Sequence, residues 1–270
     1  MKWPKSWLKP FFKSILIGGI IGSCQSRIHT EDREEVSHSF SYPLVEPVER
    51  IEEWRQSQIK ELSRRVYRVE VRIKYPYGQD SYRGTAWLWK REGVLVTCRH
   101  LLPSGSSRLE IEIWDYSGAC YPAALVWKDT IADVAFLWAR GLEGVPFQRA
   151  ENSELAVPGS TVLSVGAPWG LLGTFQEGFI SGEKRYILTP IAKEALPFLQ
   201  LSLPAQPGSS GSPVFNRRGE VIGMLSDIAT TSGLYEGLAF AIPVEILENV
   251  WREYCSFAGK YDTAGTCTSY

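Results

Sequence analysis

Short hydrophobic runs, separated by polar and glycine-rich breaks, fill most of the chain from about residue 67 to residue 242. Six of these runs precede a turn-rich break near 144–159, and six more follow it. No helical pattern lies between consecutive runs, and short strands joined by turns produce this spacing. We therefore predict an all-β fold of two six-stranded antiparallel barrels, one over about 67–143 and one over about 157–242.

Helical patterns flank the predicted barrels on both sides. The stretch "VERIEEWRQSQIKELSRRV" has apolar residues at mostly helical intervals, which predicts an amphipathic N-terminal helix over residues 46–66. A second periodic stretch, "VEILENVWREYCSF", follows Pro243 and predicts a closing C-terminal helix. The folded domain after the first helix is expected to span 67–257, with a C-terminal tail over 258–270.

The first 24 residues, "MKWPKSWLKPFFKSILIGGIIGSC", have the layout of an export signal. Lys2, Lys5 and Lys9 form a positively charged region ahead of a short apolar segment, Ser14 to Gly22, which is far below the ~20 apolar residues that a membrane-spanning helix needs. The ending "IGSC" resembles a bacterial lipobox, in which Cys24 would be lipidated and become the new N-terminus. The alternatives are an uncleaved anchor or an ordinary signal with an incidental cysteine.

Residues 25–45 are polar and aperiodic, which predicts a tether between that signal and the folded domain. Lipidation at Cys24 would leave four further cysteines, Cys98, Cys120, Cys255 and Cys267. Export permits disulfides, and four cysteines allow three pairings between which the sequence does not choose. Cys255 with Cys267 would close a short C-terminal loop, whereas Cys98 within an apolar strand is a candidate free thiol.

Composition excludes several classes of function. A net charge of −1 and a pI of about 6.4 provide no basic field for nucleic acid. The chain has three histidines, no Cys/His pair at zinc spacing, and no glycine-rich loop that ends in Lys-Ser or Lys-Thr. We therefore expect no metal and no cofactor.

Three segments that border strands each contain a residue type needed for nucleophilic catalysis by serine. His100 follows the run "VLVTC", and Asp133 precedes "VAFLWA", with Asp129 as a competing carboxylate. The third segment, "QPGSSGSPVFN", offers three serines, at 209, 210 and 212. A serine hydroxyl needs a base to accept its proton, and a carboxylate orients that base. The order His, Asp, Ser is one in which such sites occur on β-barrels.

On these segments the chain resembles the trypsin-like serine peptidases of the HtrA/Deg type, which have the chymotrypsin double-barrel fold. The matching stretches run in order over essentially the whole folded part: "GTAWLW", "VLVTCRHLL", "DTIADVAFL", "VLSVGAPWGL", "GFISG", "PGSSGSPVFNRRGEVIGM" and "GLAFAIPVEIL". The resemblance implies that His100 is the general base, Asp133 its orienting carboxylate and Ser210 the nucleophile. It also implies an oxyanion hole made by the backbone amides of Gly208 and Ser210.

The substrate pocket is the less specific part of the resemblance. Its implied lining residues are Pro204 and Ala205 before the nucleophile and Leu225, Ser226 and Asp227 on the following strand. No histidine follows His100, which argues against the glutamate-specific relatives that use a pocket histidine. We expect a small or medium apolar side chain at the cleavage site.

The sequence departs from the family at several positions. Ser209 stands where the family usually has asparagine, Ser212 where it has glycine, and Cys98 and Arg99 where it has small residues. About twenty residues or fewer follow the closing helix, so no PDZ domain is expected in this sequence. Many relatives are trimers held by N-terminal segments, so a homo-oligomer through residues 46–66 is compatible with the resemblance.

Two functions from different classes follow from these observations. The first is a serine endopeptidase in protein quality control or processing at the bacterial cell envelope, anchored to a membrane by lipid and facing the periplasm or the cell surface. The alternative, motivated by the departures around Ser210, is a catalytically weak or inactive double barrel that binds proteins as an adhesin or scaffold.

Overall fold

Two helices and twelve strands make up the described part of the chain. The computed structural model describes residues 48–75, 77–102, 109–154, 156–187, 195–229 and 237–259. These residues belong to a compact unit that spans Glu46–Tyr270. The predicted signal segment, the tether, Cys24, Cys267 and nearly all of the tail lie outside the described residues.

The first barrel is closed and antiparallel, with strand order β1-β2-β3-β6-β5-β4. Its strands are β1 (Val66–Tyr75), β2 (Gly78–Leu88), β3 (Val94–Thr97), β4 (Leu109–Trp114), β5 (Cys120–Lys128) and β6 (Ala135–Ala139).

The second barrel is also closed and antiparallel, with strand order β10-β11-β12-β9-β8-β7. Its strands are β7 (Thr161–Gly166), β8 (Thr174–Ile187), β9 (Leu196–Ser202), β10 (Pro213–Phe215), β11 (Val221–Ala229) and β12 (Leu238–Pro243).

One helix precedes the barrels, α1 (Val48–Ser63), and one follows them, α2 (Val244–Ala258). The predicted fold of two six-stranded barrels with an N-terminal and a C-terminal helix is therefore confirmed. No helix among the described residues is long and apolar enough to span a membrane.

Strand β2 explains why several runs are apolar throughout instead of alternating. Ala86 and Leu88 point into the interior of the first barrel, whereas Trp87 and Trp89 point into a second hydrophobic cluster. That second cluster includes side chains of both barrels and of α2, so it lies where the barrels meet. A strand buried on both faces needs apolar residues at successive positions.

Helix α2 packs against residues from the first barrel. The Trp251 ring lies edge-on to Phe136 at a centroid distance of 4.9 Å and 6.4 Å from the ring of Trp89. Since α2 directly continues β12 of the second barrel, this aromatic contact joins the two barrels. Edge-on aromatic pairs add about 0.5–1.5 kcal/mol beyond the burial of their area.

The described cysteines differ in their bonding. Cys98 is a buried free thiol and Cys120 is an exposed one. Cys255 is disulfide-bonded, and its partner lies outside the described residues. The Cys255–Cys267 pairing stays a prediction, while the expectation of a free thiol at Cys98 agrees with the structure.

Candidate active site

His100 and Asp133 form a hydrogen-bonded pair at the ends of neighbouring strands. Strands β3 and β6 pair so that Thr97 lies opposite Ala135, and this register brings the residues just beyond β3 next to those just before β6. Nδ1 of His100 lies 2.7 Å from Oδ2 of Asp133, and the His100 amide donates to Oδ1 at 2.8 Å. The carboxylate is 1% exposed and the imidazole 26% exposed, so the ring is partly accessible to solvent while its partner is buried.

Asp129, the other carboxylate considered as a partner of His100, stabilises a turn. Its Oδ1 accepts hydrogen bonds from the amides of Ile131 and Ala132, which closes the turn that leads to Asp133. Asp129 is therefore a turn residue, as aspartate before a strand commonly is. The imidazole of His100 is hydrogen-bonded to Asp133 instead.

The Leu225–Ser226 segment of β11 connects the His100–Asp133 pair with the loop that carries Ser210. The Leu225 carbonyl accepts from the Gly211 amide at 2.8 Å and from the Cys98 thiol at 3.2 Å. The Ser226 hydroxyl donates to Oδ2 of Asp133 at 2.6 Å. Through β11, the loop that carries Ser210 is thus connected to the strand ends that carry His100 and Asp133.

The loop that carries Ser210, called the serine loop below, lies directly on the edge of β2. The Thr85 amide donates to the Ser210 carbonyl at 2.8 Å. A Cβ atom at Gly211 would lie 2.0 Å from the Thr85 carbonyl oxygen, and Gly211 has a φ of +91°. Because side chains are excluded at that distance and disfavoured at that φ, glycine is required at this position.

Successive peptide groups of the loop orient the two amides of the predicted oxyanion hole. The Pro207 carbonyl accepts from the Trp169 amide at 2.7 Å, and the Ser209 carbonyl accepts from the Ser212 amide at 3.0 Å. In a trans peptide the N–H points away from the C=O, so the amides of Gly208 and Ser210 point away from these anchors. Within the described residues neither amide donates to a protein acceptor. Two fixed and unoccupied donors are the feature that a developing oxyanion requires.

Ser209, at the family's asparagine position, closes the turn before Ser210. It is 3% exposed, its amide donates to the Gln206 carbonyl at 2.8 Å, and its hydroxyl accepts from the Gln206 amide at 3.2 Å. This departure from the family is therefore compatible with an ordered loop.

Ser212, at the family's glycine position, has a different environment. Its hydroxyl is buried and has no hydrogen-bond partner within the described residues. A Cβ atom at residue 166 would lie 2.0 Å from that oxygen, so glycine at 166 provides the space that the hydroxyl occupies.

We expect Ser212→Ala to raise the free energy of unfolding by about 1 kcal/mol, because a buried hydroxyl without a partner carries an uncompensated desolvation cost. Ser164→Ala is the matched control, since that hydroxyl is also buried but donates to the Pro213 carbonyl at 2.9 Å. The control should lower the free energy of unfolding by about 1 kcal/mol. Urea denaturation of both variants measures the difference, and a loss of stability in Ser212→Ala would contradict the expectation.

Cys98 carries a thiol, which is a potential nucleophile, but its environment disfavours the reactive thiolate form. Burial, together with the negative charge of Asp133, raises the pKa of its thiol well above the ordinary value. Its sulfur, His100 and Asp133 form a cluster whose potential metal-ligand atoms lie within 4.8 Å of one another. The Asp133 carboxylate already accepts three hydrogen bonds, from the His100 amide, the His100 imidazole and the Ser226 hydroxyl, so its oxygens are engaged within the protein.

Arg99 contributes positive charge near Lys128 of β5. Burial and the Arg99 guanidinium lower the pKa of Lys128 from its ordinary value. One Arg99 nitrogen lies 3.4 Å from the Thr130 carbonyl oxygen. The departure from a small residue at this position therefore changes the local charge without disturbing the His100–Asp133 pair.

The five predicted pocket residues lie in different environments. Ala205 and Leu225 are buried members of the hydrophobic core of the second barrel, whereas Pro204 is exposed beside a groove that includes Gly178 and Phe179. The hydroxyl of Ser226 is bonded to Asp133. The backbone of Asp227 continues β11, but its side chain lies outside the described residues. The structure thus gives Ser226 a contact with Asp133 that the sequence did not indicate.

Thr85 is a second contact that sequence reasoning missed. It is a fully buried polar residue in the otherwise apolar run "GTAWLW", and its hydroxyl donates to the Gly208 carbonyl at 2.9 Å. A single polar side chain within an apolar strand was the available signal, but the partner is 123 residues away in the sequence.

The two closed barrels, with this site at their junction, define the class of chymotrypsin-like double barrels. Comparison with known families agrees, since the model of the trypsin-like peptidase domain matches residues 84–224, more than half of the chain. The chain therefore belongs to the trypsin-like peptidase domain family. The expected resemblance to the HtrA type is confirmed by the relatives.

Curated relatives are described as probable periplasmic serine endoproteases, DegP-like. The protein from Hahella chejuensis is 29% identical over 198 residues, which is 73% of this chain and 40% of the relative. The protein from Halomonas elongata is 34% identical over 167 residues, which is 62% of this chain and 34% of the relative. The chain thus spans two fifths or less of the length of these relatives.

Solved structures of HtrA-type proteases have the same fold. The protease AlgW in a variant form with a tripeptide superposes with a TM-score of 0.63 at 25% identity, covering 72% of this chain and 61% of that one. AlgW with a decapeptide gives a TM-score of 0.62 at 23% identity, covering 73% of this chain and 66% of that one.

Proposed function

We propose that this protein is a serine endopeptidase that hydrolyses peptide bonds of protein substrates. The observation that carries the proposal is the pair of free, oriented amides at Gly208 and Ser210, in a loop connected through β11 to the His100–Asp133 pair. Relatives described as serine endoproteases support the same activity.

In the proposed mechanism Ser210 is the nucleophile and His100 is the general base. The Ser210 hydroxyl oxygen attacks the substrate carbonyl carbon while the imidazole accepts the hydroxyl proton. Asp133 keeps Nδ1 protonated, so the other ring nitrogen is free to accept that proton, and its charge stabilises the imidazolium. The hydrogen bond from Ser226 and that from the His100 amide hold the carboxylate in position.

The oxyanion of the tetrahedral intermediate would accept hydrogen bonds from the amides of Gly208 and Ser210. His100 then donates its proton to the leaving amine, the C–N bond breaks, and an acyl ester on Ser210 remains. Water, activated by the same imidazole, hydrolyses that ester and restores the free hydroxyl. Each oriented amide is worth about 10²–10³ in turnover in such sites.

Cleavage-site profiling on a peptide library tests activity and specificity together. We expect cleavage after small or medium apolar residues, because Pro204, Ala205 and Leu225 of the predicted pocket are apolar and no histidine follows His100 in the sequence. Absence of cleavage by the folded protein, together with retained binding to protein partners, would favour the adhesin or scaffold function instead.

We also propose that the protein acts at the cell envelope, where the curated relatives are described as periplasmic. Quality control or processing of exported proteins is the role that fits an endopeptidase there. The export signal and the lipobox-like "IGSC" before residue 25 support a membrane anchor at Cys24.

Lipidation of Cys24 predicts that the protein incorporates radiolabelled fatty acid in cells and that Cys24→Ala abolishes the incorporation. Cys120→Ala is the matched control, since Cys120 is an exposed free thiol, and this variant should incorporate label normally. An unlabelled, cleaved wild-type protein would refute the anchor.

A further inference from the structure

We propose that Thr85, a residue of the first barrel, is a positioning residue for the oxyanion hole in the second. This inference rests on the proposed peptidase function. Its starting observation is that Thr85 is fully buried and participates in four hydrogen bonds with three other segments of the chain.

The free edge of β2 is the reason that Thr85 can contact the loop. Strand β3 pairs with β2 at Trp87 and Leu88 and ends at Thr97, so Thr85 has no β3 partner across the ladder. Its amide donates to the Ser210 carbonyl at 2.8 Å, and its carbonyl accepts from the Thr97 hydroxyl at 2.7 Å. The serine loop therefore occupies the position of a neighbouring strand.

The Thr85 hydroxyl holds the peptide group between the two oxyanion amides. It donates to the Gly208 carbonyl at 2.9 Å and accepts from the Ala167 amide at 2.9 Å. The other end of that peptide, the Ser209 amide, donates to the Gln206 carbonyl. With this peptide fixed at both ends, the peptides on either side cannot rotate independently, and both amides keep their direction.

The same hydroxyl couples the loop to its neighbouring segment. Ala167 begins the stretch whose Trp169 amide anchors the Pro207 carbonyl. Loss of the hydroxyl would leave a buried carbonyl at Gly208 and a buried amide at Ala167 without partners, and unpaired buried groups drive local rearrangement. Rotation of the Gly208–Ser209 peptide would be the direct response.

Thr85→Val and Thr85→Ser test the hydroxyl at nearly constant shape. In Thr85→Val we expect kcat on a library-selected peptide, and the rate of labelling by a fluorophosphonate, to fall about 10- to 100-fold, with KM changed less than about twofold. Thr85→Ser should retain kcat within about threefold, because it keeps the donor and acceptor. Thr85→Ala replaces Thr85→Val if thermal melting shows that the valine variant does not fold.

Ser164→Ala is the control for a general loss of stability, because its buried hydroxyl bonds the Pro213 carbonyl without contacting the oxyanion loop. Its kcat should stay within about twofold of wild type. The inference would be overturned if Thr85→Val had the same kcat as the wild-type protein. It would also be overturned if Thr85→Ser were as slow as Thr85→Val.

Hydrogen exchange separates this inference from the proposed function. In Thr85→Val the Ala167 amide should exchange at least about tenfold faster than in wild type, whether or not the protein is active, since its hydrogen bond to the Thr85 hydroxyl is lost. The Ser209 amide should also exchange faster, because rotation of the Gly208–Ser209 peptide breaks its hydrogen bond to the Gln206 carbonyl. Unchanged exchange would refute the positioning role. A wild-type protein that is folded but unreactive towards the fluorophosphonate would refute the peptidase function alone.

Discussion

Ser210→Ala should abolish peptide hydrolysis and fluorophosphonate labelling. If Ser210 is the nucleophile, kcat should fall by about 10⁶-fold, since removal of this hydroxyl eliminates the acyl-enzyme route entirely. The protein should still fold, because the contacts that hold the loop are made by the Ser210 backbone, whose carbonyl accepts from Thr85. The measurements are the initial rate on a library-selected peptide and covalent labelling detected by mass spectrometry.

Ser212→Ala is the matched control for that variant. It removes a serine hydroxyl two residues away, in the same loop, that has no described hydrogen-bond partner. We expect its kcat and its labelling to stay within about threefold of wild type, since removing a hydroxyl that has no described partner breaks no described hydrogen bond of the loop. Labelling that persists in Ser210→Ala and disappears in Ser212→Ala or Ser209→Ala would assign the nucleophile to another serine.

Asp133→Asn should lower kcat by about 10⁴-fold, because an amide at this position favours the wrong imidazole tautomer. At present Oδ2 of Asp133 accepts from Nδ1 of His100 at 2.7 Å and from the Ser226 hydroxyl at 2.6 Å. An asparagine NH₂ at the same place would direct a donor at Nδ1, so the proton would move to the nitrogen that must accept one from Ser210. KM should change little, since the 1% exposed carboxylate does not reach the substrate.

Asp129→Asn provides the control, because its side-chain oxygen can still accept from the Ile131 and Ala132 amides. We expect its kcat within about threefold of wild type, with thermal melting used to compare the folding of both variants. If Asp129→Asn caused the large loss and Asp133→Asn did not, the orienting carboxylate would have to be reassigned.

The departures from the family at Ser209 and Ser212 raised the alternative of an inactive double barrel. Ser209 makes a closed turn with Gln206, and Ser212 occupies space beside Gly166. Within the described residues, neither serine accepts a hydrogen bond from the amides of Gly208 and Ser210. The departures therefore give no physical reason for a defective oxyanion hole, which is why the peptidase is the function proposed.

The sequence by itself determined the barrels, the flanking helices and the candidate residues. Strand periodicity and turn residues are local properties of the chain, so twelve runs predicted twelve strands in the correct order. The motif around Ser210 and the order of His100 and Asp133 were equally visible, because each depends on a few neighbouring residues.

Only the tertiary structure decided which groups act on each other across the barrels. The register of β3 with β6 selects Asp133 over Asp129, and β11 brings Ser226 to Asp133 from 93 residues away. Of the predicted pocket residues, Ala205 and Leu225 are buried in the core of the second barrel, which also depends on the packing of whole strands. Thr85 contacts Gly208 only because β3 ends early and leaves an edge of β2 free. Such contacts depend on where whole strands pack, and no local pattern in the sequence records that packing.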